Sequence, residues 1–361
     1  MEPSRVTETC LSPFHSAPQH GPRPLPLFLE LLRSETAASP ERRARALAGL
    51  AAYQAARRPE SRALPAPVAS AGRAMLRDYG GSGPPLVFVP SLINPPFILD
   101  LSEETSLLRW LAGQGVRPLL VDWGSPGPGE RAQDIDAHIA ELLIPLLDSL
   151  GEPPVLAGYC LGGTIAMAAA SLRAVRGLAM IAAPWRFTRY GAAARAGIAG
   201  LWNAARPACE ALGLVPMEVL QSGFWQLDPA RTITKYEHFA GLEPDGPAAR
   251  AFVALEDWAN GGAPLTYAAG QQMFERLLIA DRPGRARWWI GGRRILPGTL
   301  GCPAVEFVSA NDRIVPAATA IGLPDLRTIR SGHVGMIVGS RARAELWEPL
   351  RDWTLQAART R

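Results

Sequence analysis

The chain has 361 residues, 48% hydrophobic and 19% charged, enough apolar material to bury a sheet between helical layers in one large α/β enzyme. Its formal net charge of +4 comes almost wholly from arginine, because Lys235 is the only lysine; a Gly-Lys-Ser/Thr phosphate loop is excluded, and Schiff-base chemistry would rest on Lys235 alone. No apolar run approaches the ~20 residues of a membrane span, and the opening Met-Glu-Pro-Ser-Arg-Val lacks a secretory signal's basic start and apolar stretch, so a cytoplasmic location without a transmembrane segment is expected.

Residues 1–70 read as an N-terminal extension. Its first 25 residues, rich in Pro, Ser and His, suggest disorder or loose docking. Helices are expected at Pro26–Ser34 and Pro40–Arg58, the second opened by Ser39 as cap and Pro40 in the first turn. A Pro/Ala/Ser linker, Ala63–Ala71, follows. From Pro85 onward short β-branched runs alternate with helical patterns, as in a parallel sheet. The expected strands are Leu86–Val89, Arg117–Val121, Pro154–Ala157, Gly177–Ala182, Ala304–Ser309 and Leu326–Ile329. The expected helices are Ser102–Gly113, Asp134–Leu150, Gly163–Arg173 and Arg341–Ala357. Between Trp185 and Gly301 the pattern is helical, with many Trp and Tyr. Residues 185–301 therefore read as a cap inserted into a core made of 71–184 and 302–361.

The segment Pro154-Val-Leu-Ala-Gly158-Tyr159-Cys160-Leu161-Gly162-Gly163 runs a buried strand through Gly-x-Cys-x-Gly into an Ala-rich helix. That spacing is the nucleophile elbow of an α/β-hydrolase fold, with cysteine in place of serine. The central residue sits on a strained turn, so residues two positions away must lack clashing side chains. Its thiol meets a helix N-terminus, whose dipole and free N–H groups favour an anion. The bland alternative is a packing cysteine in a strand–helix turn, and the flanking glycines argue against it.

This fold places an acid after a later strand and a histidine after the last. Asp312 follows Ala304–Ser309, and His333 follows Leu326–Ile329. His333 is then the base for Cys160, and Asp312 the residue that orients it. The Leu161 N–H is the first expected oxyanion donor. The loop Pro90-Ser-Leu-Ile-Asn94 supplies the second from Leu92 or Ile93, while Asn94 could make an Asx turn before Pro95.

Other polar residues are less telling. Asp134 and His138, four apart on a helix, could pair or bind something, with a solvated face the preferred reading. Asp122 either lines the site or makes a turn. Glu256 and Trp258 read as packing or pairing residues. Arg186, Arg189, Arg293 and Arg294 could meet phosphates, but solvated surface is preferred. The arginines look scattered rather than striped with aromatics, against a nucleic-acid partner. Cys10, Cys160, Cys209 and Cys302 show no CxxC spacing or Cys/His cluster, so free thiols are expected, with no metal and no cofactor.

At these residues the chain resembles the polyhydroxyalkanoate synthases, especially the short class III and IV catalytic subunits. The similar segments are Pro90-Ser-Leu-Ile-Asn-Pro-Pro-Phe-Ile-Leu-Asp-Leu101, Val121-Asp-Trp-Gly-Ser-Pro126, Gly158-Tyr-Cys-Leu-Gly-Gly163, Asp312-Arg-Ile-Val-Pro316, Gly332-His-Val-Gly335 and, in the cap, Phe252–Trp258. Dienelactone hydrolases share the Gly-Tyr-Cys-x-Gly-Gly box. The family usually has His where Arg313 stands and often an acid where Gly261 stands. The resemblance implies a 3-hydroxyacyl-coenzyme A substrate, an acyl-cysteine at Cys160, and ester formation by a hydroxyl that His333 deprotonates. It also implies a homodimer, a second non-catalytic synthase subunit, and a place at the polyester granule surface. Two other functions fit the sequence: a hydrolase on the same triad, such as a thioesterase, polyester depolymerase or dienelactone-hydrolase-like enzyme, and a non-catalytic homologue that binds granules or a synthase subunit.

Overall fold

The computed structural model describes residues 21–58 and 62–359, so the reading of the first 20 residues, Cys10 among them, lies outside the described part. Two helices open it, α1 (Leu25–Glu35) and α2 (Pro40–Ala55), and the Ser39 hydroxyl accepts from the Arg42 N–H to cap the second.

Eight strands form one sheet: β1 (Pro67–Ala71), β2 (Ala74–Asp78), β3 (Pro85–Val89), β4 (Arg117–Asp122), β5 (Val155–Tyr159), β6 (Gly177–Ile181), β7 (Ala304–Ser309) and β8 (Asp325–Ile329). Their order is β1-β2-β4-β3-β5-β6-β7-β8. From β4 to β8 all neighbours run parallel, and β2 is antiparallel to both β1 and β4. The β1–β2 hairpin is a correction, because its first strand lies where a linker was expected. Pro67-Val-Ala-Ser-Ala71 carries one β-branched residue and is largely exposed at the sheet edge, so it lacks the apolar signal of a buried strand.

The central strands are buried along their whole length, as parallel strands covered on both faces must be. Alternate residues serve opposite faces. Val87, Val89 and Leu156 meet one helical layer that includes Ile139, Leu142 and Ile165. Leu86, Phe88 and Val155 meet another that includes Leu107, Met336 and Leu350. The first layer is supplied by the helical stretch 135–148 and α4 (Leu161–Leu172), the second by α3 (Leu107–Ala112) and α9 (Glu348–Ala357).

Between β6 and β7 the chain is mainly helical: α5 (Ala192–Leu212), α6 (Met217–Leu227), α7 (Pro229–Phe239), α8 (Pro247–Ala259) and a helical stretch over 267–279. A hairpin of two short strands, Trp289–Ile290 and Arg293–Arg294, follows. Phe28, Leu32, Leu50 and Tyr53 of α1 and α2 form one apolar cluster with Trp225, Ile233, Tyr236, Phe239 and Val253 of the intervening helices. The N-terminal helices thus rest on the segment between β6 and β7.

Candidate active site

Cys160 sits between the end of β5 and the start of α4 with φ 55° and ψ −132°, a strained conformation for a residue with a side chain. Its N–H donates to the Ile181 carbonyl at 2.9 Å, which ties the turn to β6. The local sequence leaves no room for anything larger than glycine nearby. A Cβ on Gly158 would lie 2.4 Å from the Gly163 Cα, and one on Gly162 would lie 2.1 Å from the Val89 carbonyl oxygen.

Asp312 and His333 come together beside this turn. His333 Nδ1 and Asp312 Oδ2 are 2.6 Å apart, and both residues are buried. The other Asp312 oxygen accepts the N–H groups of Ile314 and Val315, each at 2.8 Å, so the carboxylate is fully engaged. Cys160 lies within electrostatic reach of His333. Burial works against a charged imidazole here. The nearby Cys160 first, and then the hydrogen bond to Asp312, outweigh it and push the His333 pKa up to about 10.

Several supporting residues were not singled out from the sequence. Tyr159 stacks on the His333 ring, with centroids 5.1 Å apart, and its hydroxyl donates to the His333 carbonyl at 3.1 Å. Its only sequence signal is adjacency to Cys160. Glu345 accepts from the Arg330 and Ser331 N–H groups and from the Ser331 hydroxyl, holding the turn before His333. Tyr190 stands within the electrostatic reach of Cys160 and Asp312, and burial first, then those charges, raise its phenol well above the usual value.

The loop after β3 is pinned at both ends. Trp123 donates to the Pro90 carbonyl at 3.1 Å, and Trp258 of α8 donates to the Pro95 carbonyl at 2.9 Å. Inside the loop, the Ile93 N–H is taken by the Ser91 hydroxyl at 3.1 Å, which separates it from Leu92 as a free donor. The Leu161 N–H opens α4, ahead of the Gly163 N–H that donates to the Cys160 carbonyl at 2.9 Å.

Other candidates find different uses. His138 corrects the solvated-face reading: it is 2% exposed, its Nδ1 faces the Asp134 carbonyl at 2.7 Å, and its Nε2 faces Arg73 at 2.6 Å. Burial first, then Arg73, lowers its pKa to about 4, so it is a neutral acceptor. Asp122 binds Arg77 at 2.8 Å and the Gly124 N–H at 3.2 Å, a turn and pairing role. Glu256 pairs with Lys235 at 2.8 Å and accepts from the Tyr236 hydroxyl. Arg313 pairs with Asp228 at 2.6 Å. Cys209 and Cys302 are free thiols whose pKa values burial raises. An open cleft of about 790 Å³ lies between α7 and the Asp312 loop, lined by Arg231, Lys235, His238 and Arg313 among others. Among the described residues no cluster fits a metal ion, and no helix is long and apolar enough to cross a membrane.

A family model described as an alpha/beta hydrolase family matches residues 86–348. The chain belongs to that family. Within the alpha/beta hydrolases it is similar to curated proteins named poly(3-hydroxyalkanoate) polymerase subunit PhaC. It is 26% identical over 297 residues to the one from Haloferax mediterranei, covering 76% of this chain and 59% of that protein. The one from Haloarcula marismortui is 27% identical over 286 residues, with coverages of 74% and 60%. The one from Synechocystis sp. is 25% identical over 299 residues, with coverages of 74% and 77%. The chain thus spans less than two thirds of the length of the first two relatives. A solved esterase from Thermogutta terrifontis aligns with 82% of this chain and 99% of its own at 20% identity and a TM-score of 0.45. The resemblance read from the sequence motifs agrees with the polymerase relatives.

Proposed function

We propose that this α/β-hydrolase-family chain is a polyhydroxyalkanoate synthase-like acyltransferase that moves 3-hydroxyacyl groups from coenzyme A through an acyl-cysteine at Cys160. The observation that carries the reading is the buried His333–Asp312 pair beside a half-buried Cys160, in a chain similar to named polymerase subunits.

The causes of the His333 shift suggest how one imidazole serves both halves of the reaction. In the proposed cycle the Cys160 proton passes to His333, whose protonated form the neighbouring Cys160 and Asp312 favour. The thiolate attacks the thioester carbonyl, and the Leu161 and Leu92 N–H groups face the developing oxyanion. The carbon–sulfur bond to coenzyme A breaks, and His333 gives its proton to the departing thiolate. Acylation has now removed the Cys160 charge, the leading contribution that raised the imidazole, so His333 stays neutral and acts as a base. It takes the proton of an incoming hydroxyl, which attacks the acyl-cysteine, forms an ester and restores the thiolate. Exchange between thioesters is nearly isoenergetic, so the acyl group remains activated on sulfur, where a serine would hold it as a less reactive ester.

In the cleft beside Asp312, where Arg313 is paired with Asp228 and Lys235 with Glu256, Arg231 has no carboxylate partner among the described residues and is the group that supports an anionic coenzyme as the carrier. A homodimer and a second, non-catalytic subunit belong to the proposal through the family resemblance, and the relatives' name as polymerase subunits supports only the second of these. The test is to supply 3-hydroxybutyryl-coenzyme A and follow both free thiol and acyl products, with Cys160→Ala as control. Oligomeric or insoluble ester that depends on Cys160 is expected. Free hydroxy acid as the sole product would instead make the protein a hydrolase on the same residues.

A further inference from the structure

The segment 282–294 gathers five of the chain's arginines. Arg282, Arg285, Arg287, Arg293 and Arg294 are all exposed, and none has a carboxylate partner among the described residues. Arg293 and Arg294 bond only to main-chain carbonyls, of Leu172 and Ala286. Trp289 stands among them 55% exposed, directly across the short hairpin from Arg294. The turn between the strands, Gly291-Gly292, has φ values of 54° and 77°, and a Cβ on either glycine would meet nothing within 4 Å. The hairpin tip therefore projects into solvent.

Its base is fixed. Buried Asp281 accepts the N–H groups of Phe187, Thr188 and Gly284, at 2.9, 3.0 and 3.1 Å, and buried Trp288 donates to Asp136 at 2.8 Å. The Leu172 carbonyl that Arg293 contacts is the last residue of α4, whose first turn begins at Cys160. Twelve residues of helix separate the two by about 18 Å, so a body bound at the hairpin leaves the Cys160 end of the helix uncovered.

We infer that the 282–294 hairpin docks the protein on an anionic phospholipid surface, with Trp289 entering the headgroup layer and the five arginines meeting the phosphates. An exposed indole ringed by unpaired cations on a projecting turn suits an interface that it can dip into. Single-stranded nucleic acid is bound instead in grooves lined by several stacking aromatics, and here one indole stands alone.

The experiment is co-sedimentation of the full-length protein with vesicles of phosphatidylcholine alone or containing phosphatidylglycerol. Binding is expected only to the anionic vesicles, and weaker at high salt. Arg293→Ala with Arg294→Ala should lower it about 25-fold, at about fivefold per charge, and Trp289→Ala should lower it several-fold. All variants should keep the parent's melting temperature and rate of thiol release. No sedimentation, equal binding to neutral vesicles, or binding unchanged in folded variants would overturn the inference. So would capture by a single-stranded oligonucleotide or polyglutamate while the vesicles stay bare.

Discussion

At the Cys160 turn, backbone meets backbone: Gly158 lies against Gly163, and Gly162 lies against the end of β3. Across the molecule, the helices between β6 and β7 meet the N-terminal pair chiefly through side chains. Phe28 packs edge-on to Tyr236 at 5.1 Å, the Tyr53 hydroxyl donates to Asp257 at 2.6 Å, and Arg42 pairs with Glu237 at 2.7 Å. Even there one backbone approach occurs, since a Cβ on Gly49 would fall 1.9 Å from the Tyr236 carbonyl oxygen. Close backbone approach admits glycine and little else, so it leaves a mark in the sequence. Side-chain contacts admit many combinations, and they leave none that a single sequence reveals.

The contrast has a functional counterpart. The turn side fixes the position of the candidate nucleophile, and the helical side takes part of its apolar support from residues 21–58. Perturbations on the two sides should therefore separate into losses of chemistry and losses of local order.

The largest effect is expected from Asp312→Asn. It should lower turnover about 10⁴-fold while leaving the fold intact, because the imidazole loses the acceptor that sets its tautomer. Steady-state kinetics with a circular dichroism control reads this. The same sample sharpens the electrostatic account, since a proton NMR titration should place the His333 transition below its parent value of about 10. The stability sign follows. A His pKa raised above its unfolded value of about 6.5 stabilises fully below that value, and the contribution is lost as pH rises through about 10.

Gly162→Ala comes next, with about 3 kcal/mol of lost stability or more, because its Cβ meets main chain that cannot rotate away. Denaturant melts would measure it. A loss under 0.5 kcal/mol would show that the β3 loop yields, and would weaken the claim that backbone contact fixes this side. Tyr53→Phe should cost less, about 1 kcal/mol for the hydrogen bond to Asp257. Hydrogen exchange should show faster opening confined to α7 and α8, with the strands unchanged. Uniform acceleration would mean that the helical segment does not open on its own.

Much of the core and the candidate triad was legible because the chemistry demands a pattern. A buried strand, Gly-x-Cys-x-Gly and a helix precede an acid and then a histidine, each after its strand. The β1–β2 hairpin was not legible, because Ala, Ser and Gly at a sheet edge carry little apolar periodicity. That omission caused a second one. The Arg73 that faces His138 lies in the turn of this hairpin, so the histidine's burial had no visible cause in the sequence. The tryptophans that pin the loop after β3 were visible as residues but not as partners, since Trp258 is 163 positions from the carbonyl it holds. The arginines of 282–294 became a patch only when the fold exposed every one of them.

The most direct test of the central claim is to look for the acyl group on the protein. The full chain would be mixed briefly with 3-hydroxybutyryl-coenzyme A, quenched in acid, digested and analysed by mass spectrometry. The account predicts a 3-hydroxybutyryl mass on the peptide containing Cys160, none at Cys209 or Cys302, and none in Cys160→Ala. Release of coenzyme A at the parent rate by Cys160→Ala, with no adduct on the parent peptide, would contradict it.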